Sequence, residues 1–452
     1  RPGNVSLDGL GAGFDGSVLL FTTGLAVLTG TVFGLVPGLR SWRRGLADSG
    51  AGLRDELSPG RGEAGTRRVL VAVQVALCFV LVSGSGLFLR SLARGLGTDL
   101  GFRAPGVALA RFDLSALEYG DDETLGFMEE VRRRVEGLPG VTAAGWGTRV
   151  PLQEGGVTAT LIQEIPGYRP ARDEEIRVEY VLGRGALLEA LGVELLMGRD
   201  ELETPGDAPA MLVDAGMAER YWGSPARALD GRFRVGEQWF RVAGVTGPVH
   251  WHGVDEEPRN YVLLPATGGG RPDLPVTLAV RTADEASSLL PILRRELQDM
   301  EPDLTFYSLG TAQDLVDRTL APQRMGSLLF TAFALLAVVL AALGIGSIVA
   351  FAVARGRREI ALRIALGATT RRVVGTAVLD MAAPVVVGLS AGTGAALLVG
   401  GTLEAFLVGL GARDPAVYSM AVALLAGTAA LAALVPARGA ARVDPVTALK
   451  ET

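Results

Sequence analysis

Few residues in this sequence of 452 amino acids could carry out chemistry. Nucleotide hydrolysis by a phosphate-binding loop needs a Gly-rich turn that ends in Gly-Lys-Ser or Gly-Lys-Thr, but the only lysine is Lys450. A serine nucleophile of the hydrolase type needs Gly-x-Ser-x-Gly between a strand and a helix, whereas Gly84-Ser85-Gly86 stands in a long apolar run. We therefore predict no catalytic and no cofactor-binding residue, so any ATP must be hydrolysed by a separate subunit.

The two histidines are the first candidates for metal ligands. His250 and His252 would point to the same face of an extended strand, with Asp255 and two glutamates close by in the sequence. The spacing fixes no third ligand, however, and two ligands make a weak site. We therefore predict no metal site.

Asp380 interrupts an apolar run and could relay protons or line a pathway, because ionisable residues inside a membrane are costly and often functional. Its place near the inner end of that run would let it reach water or Arg372. This position favours a structural or coupling role.

The elements that would position these residues are mainly membrane spans. About 20 apolar residues, at about 1.5 Å each, cross the roughly 30 Å hydrocarbon core of a bilayer. Gln74 is the strongly polar member of one such run, and a lone glutamine in a span usually bonds to a neighbouring helix. The predicted spans are residues 17–39, 69–89, 325–354, 373–403 and 415–437.

Charge is distributed unevenly along the chain, whose net charge is −6. Residues 40–68, 355–372 and 438–452 together hold 16 basic and 7 acidic side chains, which predicts that they are cytoplasmic. Residues 93–324 hold 37 acidic and 24 basic side chains, so nucleic-acid binding is not expected. The single cysteine, Cys78, lies in an apolar run and excludes an intramolecular disulfide.

Residues 93–318 alternate strand-like and helical patterns and predict a large outer domain of the α+β class. Residues 1–16 are Gly-rich and predict an extracytoplasmic loop. The predicted fold is therefore an α-helical transmembrane bundle with five spans and a large inserted α+β extracytoplasmic domain. Within it, helices are predicted at 122–138 and 288–298, and strands at 177–181, 210–213, 240–245, 261–264 and 276–281.

Two stripes of small residues repeat at every fourth position, which places each stripe on one helix face. Such stripes let membrane helices pack closely. The glycines predicted to pack in this way are Gly30, Gly34 and Gly38 in the first span, and Gly388, Gly392 and Gly400 in the fourth.

The basic segment after the third span carries a specific resemblance. Its residues 358–368 read Arg-Glu-Ile-Ala-Leu-Arg-Ile-Ala-Leu-Gly-Ala, which resembles the cytoplasmic coupling helix of ABC-transporter permeases of the MacB/FtsX type. The charge pattern alone would also fit a juxtamembrane helix held by anionic lipid. The resemblance implies that the coupling helix docks on a cytoplasmic ABC ATPase through Arg358, Glu359, Arg363, Ala365, Leu366, Gly367 and Ala368.

Several pieces of the predicted outer domain resemble the MacB-type periplasmic core domain, in the same order. They are residues 138–141 (Leu-Pro-Gly-Val), 191–193 (Leu-Gly-Val), 198–200 (Gly-Arg-Asp), 221–223 (Tyr-Trp-Gly), 242–245 (Val-Ala-Gly-Val) and 253–258 (Gly-Val-Asp-Glu-Glu-Pro).

The resemblance implies a permease subunit in the plasma membrane of a bacterium, surrounded by lipid, whose partner ATPase binds ATP. Such permeases transmit ATP-driven movement to the outer domain, which acts on a substrate or a periplasmic adaptor outside the membrane. The rival hypothesis is a non-transporting regulator or sensor whose outer domain binds an extracytoplasmic partner.

Two similar segments of the sequence bear on the oligomeric state. Leu35-Val36-Pro37 and Leu434-Val435-Pro436 each end an apolar run and precede arginines. A repeated ending suggests that the first span closes a preceding module, although chance likeness between two helix ends would look the same. The chain then resembles the C-terminal part of a duplicated orphan permease and would act as a pseudo-dimer with the preceding repeat, or as a homodimer.

Overall fold

The computed structural model describes residues 61–117, 119–153, 159–172, 174–200, 210–255, 260–266, 275–355 and 370–440, together with Leu20, Thr23 and Gly24. The chain divides into two units, residues 1–69 and residues 70–452. Nearly all described residues belong to the second unit, and the architecture given below is that of this unit.

Helix α1 (Arg61–Gly97) leads into the outer domain, which is built from strands and short helices. One turn of 3-10 helix, Ser115–Leu117, also belongs to this domain. Its elements are β1 (Val107–Asp113), α2 (Asp121–Glu136), β2 (Val141–Gly147), β3 (Ala159–Glu164), β4 (Ile176–Gly185), α3 (Leu187–Leu191), β5 (Leu195–Gly198), β6 (Ala210–Asp214), α4 (Ala215–Trp222), α5 (Pro225–Ala228), β7 (Arg232–Val235), β8 (Gln238–Thr246), β9 (Tyr261–Pro265), β10 (Val276–Thr282), α6 (Ala286–Met300), β11 (Thr305–Thr311) and α7 (Ala312–Thr319).

Three long helices follow the outer domain: α8 (Ala321–Arg355), α9 (Thr370–Leu403) and α10 (Pro415–Ala440). A 3-10 turn, Glu404–Phe406, and a short loop connect α9 to α10.

Four described helices are long and apolar enough to cross a membrane, through Arg68–Gly97, Ala321–Phe351, Ala382–Leu403 and Pro415–Pro436. The chain can therefore cross a membrane several times, and the domain of strands and short helices lies between the first and second of these helices. The predicted spans 69–89, 325–354, 373–403 and 415–437 fall on these four helices. The predicted span 17–39, except for three residues, and the segment 356–369 lie outside the described residues.

The first lobe of the outer domain is a four-stranded antiparallel sheet with the order β11–β1–β10–β2. Helices α2 and α6 follow β1 and β10, which gives the split β-α-β arrangement of a ferredoxin-like fold. The buried residues of α2 recur at helical spacing, at Met128, Val131 and Val135. They pack with Phe112 and Leu278 of the sheet in one apolar core.

The second lobe is inserted between β2 and β10 and is a closed ring of six paired strands. The ring runs β4–β3–β7–β8–β6–β9 and closes through the parallel pairing of β9 with β4. Closure removes the open strand edges that would otherwise pair with other chains. Its core joins the inner residues of these strands, including Phe233 and Val262, to Met217 of helix α4.

A third apolar core lies on the outer surface of this ring, between the two lobes. Helix α3 contributes Leu187 and Leu191, which are buried in the same core as Leu212 of β6. Gly145 of β2 permits this packing, because a Cβ at Gly145 would lie only 2.4 Å from the backbone nitrogen of Leu187.

The membrane helices pack around a thin core that consists of three layers. The layer nearest the start of α1 joins Val71 and Val75 of α1 to Ile345 and Val349 of α8. It also contains residues of α9 and α10. The middle layer contains Cys78, which is fully buried between helices. The outer layer joins α1, α10 and the loop between α9 and α10 through Leu87, Phe88, Val417, Leu407 and Leu410.

Candidate functional site

The residues predicted to dock on an ATPase, and the glycines of the first predicted span, lie outside the described residues. Both groups therefore remain predictions. They are Arg358, Glu359, Arg363, Ala365, Leu366, Gly367 and Ala368, and Gly30, Gly34 and Gly38.

Gly388 and Gly392 lie where helix α9 contacts helix α1. A Cβ at Gly388 would lie 2.6 Å from the carbonyl oxygen of Ala72 and 2.8 Å from the Cβ of Val75. A Cβ at Gly392 would lie 2.8 Å from the Cβ of Phe79. The missing side chains therefore allow the two helix backbones to approach closely, as small residues do in membrane bundles.

Gly400 has a different neighbour from the other two glycines of its stripe. A Cβ at Gly400 would lie 3.0 Å from the Cβ of Ala412, which belongs to the loop between α9 and α10. The outer end of the stripe therefore packs on this loop instead of on α1.

Polar groups join α1 to α8 inside the bundle. The hydroxyl groups of Ser85 and Thr331 share a hydrogen bond of 2.7 Å. Gln74 lies against Gly344, whose Cβ, if present, would stand 2.8 Å from the Gln74 Oε1 atom. Gln74 therefore faces a neighbouring helix, and a glycine there provides the space for its side chain. Asp380 lies in α9.

At the outer end of the bundle, helix α1 binds the loop that precedes α10. Arg90 donates to Asp414 at 2.7 Å, and the same carboxylate accepts from the backbone nitrogen of Ala416 at 2.9 Å. The Ser91 hydroxyl, which is completely buried, accepts from the Val408 backbone nitrogen at 2.7 Å. Arg94 donates to the Gly409 carbonyl oxygen. Three contacts from the last two turns of α1 thus hold the loop on this helix.

Beside α1, strand β11 is joined to the membrane helix α8 almost without interruption. A capping box fixes the start of α7, because Thr311 accepts from the Asp314 backbone nitrogen at 3.2 Å and Asp314 accepts from the Thr311 backbone nitrogen at 2.7 Å. Only Leu320 separates α7 from α8. An ion pair of 2.8 Å between Arg324 and Asp317 bridges the two helices.

Gln323 connects the start of α8 to the same loop that α1 holds. Its Nε2 atom donates to the Phe406 carbonyl oxygen at 3.1 Å, and the side chain is buried. Its Oε1 atom is buried without a hydrogen-bond partner.

The apolar core between the lobes of the outer domain reaches into the membrane helices. Leu320, at the junction of α7 and α8, and Val408, in the loop between α9 and α10, both belong to this core and are 0% and 5% exposed. Leu92 of α1 packs against it as well. The end of α1, the start of α8 and the loop between α9 and α10 therefore share one core with the outer domain.

The histidines do not form a metal centre in the described part of the chain, where no three His, Cys, Asp or Glu side chains come together. His252 instead lies between two charged residues. Its Nε2 atom is 2.6 Å from the Glu179 carboxylate and its Nδ1 atom is 3.2 Å from the Arg149 Nη2 atom. A guanidinium at this distance opposes binding of a metal cation at Nδ1. His250 lies near the Gly253 carbonyl oxygen, at 3.3 Å.

Asp214 is the most buried carboxylate near these residues, and its role is to organise the backbone. It accepts from the Tyr261 backbone nitrogen at 2.6 Å and from the Met217 backbone nitrogen at 2.9 Å, which caps helix α4. Burial raises the pKa of the Asp214 carboxyl group, and the backbone donors only partly offset this effect.

The described contacts join the membrane helices to the outer domain. Sequence reasoning missed the residues that make this junction, chiefly Ser91, Arg94, Leu320, Val408 and Asp414. Each is an ordinary residue type in sequence, and only the α9–α10 loop, more than 300 positions away from Ser91, gives Ser91 its partner. A polar residue directly after a span, such as Arg90, was the one available signal.

Comparison with known families matches residues 331–445 to the model of the FtsX-like permease C-terminal region. This match covers α9, α10 and most of α8, together with the segment between α8 and α9.

Among curated proteins, the chain is 29% identical over 220 residues to the pyoverdine export ATP-binding/permease protein PvdT of Pseudomonas fluorescens, which covers 46% of this chain and 33% of that protein. It is 27% identical over 259 residues to the macrolide export ATP-binding/permease protein MacB of Rhodospirillum rubrum, which covers 55% of this chain and 39% of that protein. The chain thus spans between a third and two fifths of the length of these relatives.

Among solved structures, the periplasmic region of MacB from Actinobacillus actinomycetemcomitans aligns with 48% of this chain and 95% of its own, at 12% identity and a TM-score of 0.32. The extracellular domain of the ABC-type transporter YknZ from Gram-positive bacteria aligns with 45% of this chain and 99% of its own, at 16% identity and a TM-score of 0.29.

Proposed function

We propose that this chain, an ABC-transporter permease of the MacB/FtsX type, transmits movement from a cytoplasmic ATPase through its membrane helices to its outer domain. One observation carries the proposal. The core between the lobes of the outer domain includes Leu320 and Val408, which stand at the outer ends of the membrane helices. A shared, close-packed core cannot deform continuously, so a displacement of the helix ends must move the outer domain.

The contacts around this core support transmission instead of free hinging. Arg90, Ser91 and Arg94 bind the loop before α10, and α7 continues into α8 with one residue between them. The thin, largely apolar interior of the bundle offers few polar groups for a wet pathway between the described helices. Transmission of force fits this interior better than conduction of a polar substrate.

The ATP-binding partner is the second part of the proposal. The matched relatives are named as proteins that combine ATP binding with a permease, and the chain has a single lysine, Lys450, which is not in a phosphate-binding loop. We infer that the chain is not itself an ATPase, that a partner subunit binds ATP, and that the segment Arg358–Ala368 docks on it.

The setting of this activity follows from the same comparison. We infer export, or handling of a substrate outside the membrane, because the relatives are named for export of pyoverdine and macrolides. The membrane would be the plasma membrane of a bacterium. The working unit would be a homodimer, or a pseudo-dimer with a preceding repeat.

The test is the rate of ATP hydrolysis by a MacB-type ATPase in lipid nanodiscs, with and without the full chain. We expect the chain to bind the ATPase and to change its turnover. Glu359→Lys combined with Gly367→Trp should abolish both effects, because the first change reverses a charge and the second fills a close contact. Glu451→Lys, a charge reversal in the predicted cytoplasmic tail, is the control and should leave both effects intact.

Two results would contradict the proposal. One is that no ATPase binds the intact chain, and the other is that the double variant remains folded and still alters ATP turnover. The first result would favour the sensor hypothesis, in which the outer domain binds a partner and the helices signal inward. Accumulation of a substrate inside cells that lack the protein would separate export from such signalling.

A further inference from the structure

The outward face of four ring strands carries a group of exposed basic and apolar side chains. The strand register places them on this face, because directly opposed residues of antiparallel strands share a face. Leu161 of β3 opposes Arg177 of β4, and Trp239 of β8 opposes Arg234 of β7, which also opposes Glu164 of β3. Arg232 and Arg241 oppose each other two residues further along. We call these seven residues the basic face.

The charges of the basic face contrast with those of the rest of the outer domain. Two of its arginines form ion pairs, Arg234 with Glu164 at 3.1 Å and Arg241 with Asp230 at 3.3 Å. The exposed Arg177 and Arg232 have no ion pair among the residues that the structure describes. The face, with four arginines against Glu164, Glu179 and Asp230, therefore carries a small surplus of positive charge. The domain is acidic overall, with 37 acidic and 24 basic side chains in residues 93–324.

Two large apolar side chains lie exposed among these arginines. Trp239 and Leu161 are each 41% exposed, and both stand on the outward side of strands whose inner residues are fully buried. Tryptophan and arginine are the residue types that contribute most to binding at protein interfaces.

We propose that the basic face is a docking surface for an extended, carboxylate-rich segment of another protein outside the membrane. Strands lie about 4.8 Å apart, so the four strands from β4 to β8 span about 14 Å, the length of roughly four to five extended residues. Carboxylates of such a segment would meet Arg177 on β4 and Arg232 on β7. An apolar residue between them would cover Leu161 or Trp239.

A protein segment fits this face better than a lipid surface does. Membrane-binding surfaces concentrate basic side chains beside apolar ones that enter the bilayer. Here the apolar and basic side chains alternate across strands, and two of the arginines are already paired with carboxylates. Alternation of this kind favours a partner whose side chains also alternate. The proposal does not depend on ATP-driven transmission, and its test needs no ATPase.

The test is selection of short random peptides from a display library by the full chain in nanodiscs of neutral lipid. We expect the selected peptides to be enriched in Asp and Glu around one apolar residue. Arg177→Gln combined with Arg232→Gln should weaken binding of a selected peptide about tenfold or more, and Trp239→Ser should weaken it by a similar factor. Affinity should also fall as ionic strength rises.

The control variant neutralises two exposed arginines of the first lobe, Arg133→Gln and Arg295→Gln, and should leave peptide binding unchanged. All substituted positions are exposed on the surface, so the thermal unfolding midpoint should stay close to that of the unmodified chain. Three results would overturn the proposal: no enrichment of acidic peptides, equal loss of binding in the control variant, or binding to anionic lipid vesicles that the basic-face variants abolish while peptide binding persists.

Discussion

At the scale of single residues, Gly392 tests how closely α1 and α9 must approach. A Cβ at this position would lie 2.8 Å from the Cβ of Phe79 and 2.9 Å from the Ala76 carbonyl oxygen. Gly392→Ala should therefore lower the stability of the bundle by about 1–3 kcal/mol through overpacking. The midpoint of thermal unfolding in detergent measures this change.

Gly394 is the matched control, because a Cβ there would meet no atom within 4 Å. Gly394→Ala in the same helix should be neutral or should stabilise the protein slightly, since alanine is the better helix former by about 1 kcal/mol. If both variants unfold at the same temperature, close packing at Gly392 is not what stabilises the bundle.

Arg132 provides a prediction for the pH dependence of stability. It donates to Glu129 at 3.1 Å and to Glu136 at 2.6 Å. The hydrogen bond from Arg132 lowers the pKa of Glu129 below its ordinary value. The resulting stabilisation is present above the ordinary pKa of a glutamate and is lost as pH falls through the lower pKa of the folded state.

Arg132→Gln should therefore cost about 0.5 kcal/mol near neutral pH, a small value because solvent screens the partly exposed pair, and almost nothing in acid. Thermal midpoints at both pH values measure the difference. Arg133→Gln, which breaks the more exposed pair with Glu130, is the control and should show a smaller pH effect. A loss that is equal at both pH values would show that Arg132 acts through packing alone.

At this scale the sequence predicts which residues face another helix, but not which helix or loop they contact. The small-residue stripe was visible as a period of four, because helix geometry repeats on that scale. Its neighbours were not visible, since nothing local distinguishes Gly400, which meets the α9–α10 loop, from Gly388, which meets α1. Gln74 likewise indicated a helix neighbour, but only the structure identifies Gly344.

At the scale of elements, the critical connection is between α1 and the loop before α10. Ser91 accepts from the Val408 backbone nitrogen at 2.7 Å in a fully buried position. Ser91→Ala would leave that N–H group buried and unpaired, which costs about 1–3 kcal/mol. We expect faster hydrogen exchange of the loop residues 407–411 in this variant, measured by mass spectrometry on the full chain.

Ser288→Ala is a suitable control for this change. The Ser288 hydroxyl also makes a backbone hydrogen bond, of 2.7 Å to the Glu285 carbonyl oxygen, but it lies in an exposed position. Its removal should change exchange only near α6. Unchanged exchange in residues 407–411 of Ser91→Ala would mean that Arg90 and Arg94 hold the loop without Ser91.

The elements themselves could be predicted where their signal was local. Apolar runs located the membrane helices, and five predicted strands each lie within an observed strand, from β4 to β10. The run of residues 69–89 did not show that α1 continues to Gly97, because Arg90 and Arg94 interrupt the apolar pattern of its last two turns. Closure of the ring by β9 and β4 joins residues about 80 positions apart, which no local pattern encodes.

At the scale of the whole molecule, the structure predicts that the outer domain and the outer ends of the helices move together. Their shared core, through Leu320 and Val408, gives one rigid body instead of two domains on a hinge. Spin labels can test this, since Cys78 is the only cysteine and Cys78→Ala gives a background without thiols. Labels would replace Ser287 of α6 and Arg413 of the α9–α10 loop, both of which are exposed.

When ATP is trapped on the partner ATPase, the distance between these two labels should change by less than about 2 Å, the range of a rigid body. The distance between the Ser287 labels of two copies should change by more than that. Ser91→Ala combined with Arg94→Gln should broaden the first distance distribution, because it removes two contacts that hold the loop on α1. A large ATP-dependent change within one chain would instead place a hinge at the junction, and the outer domain would then respond to ATP without being driven by the helix ends.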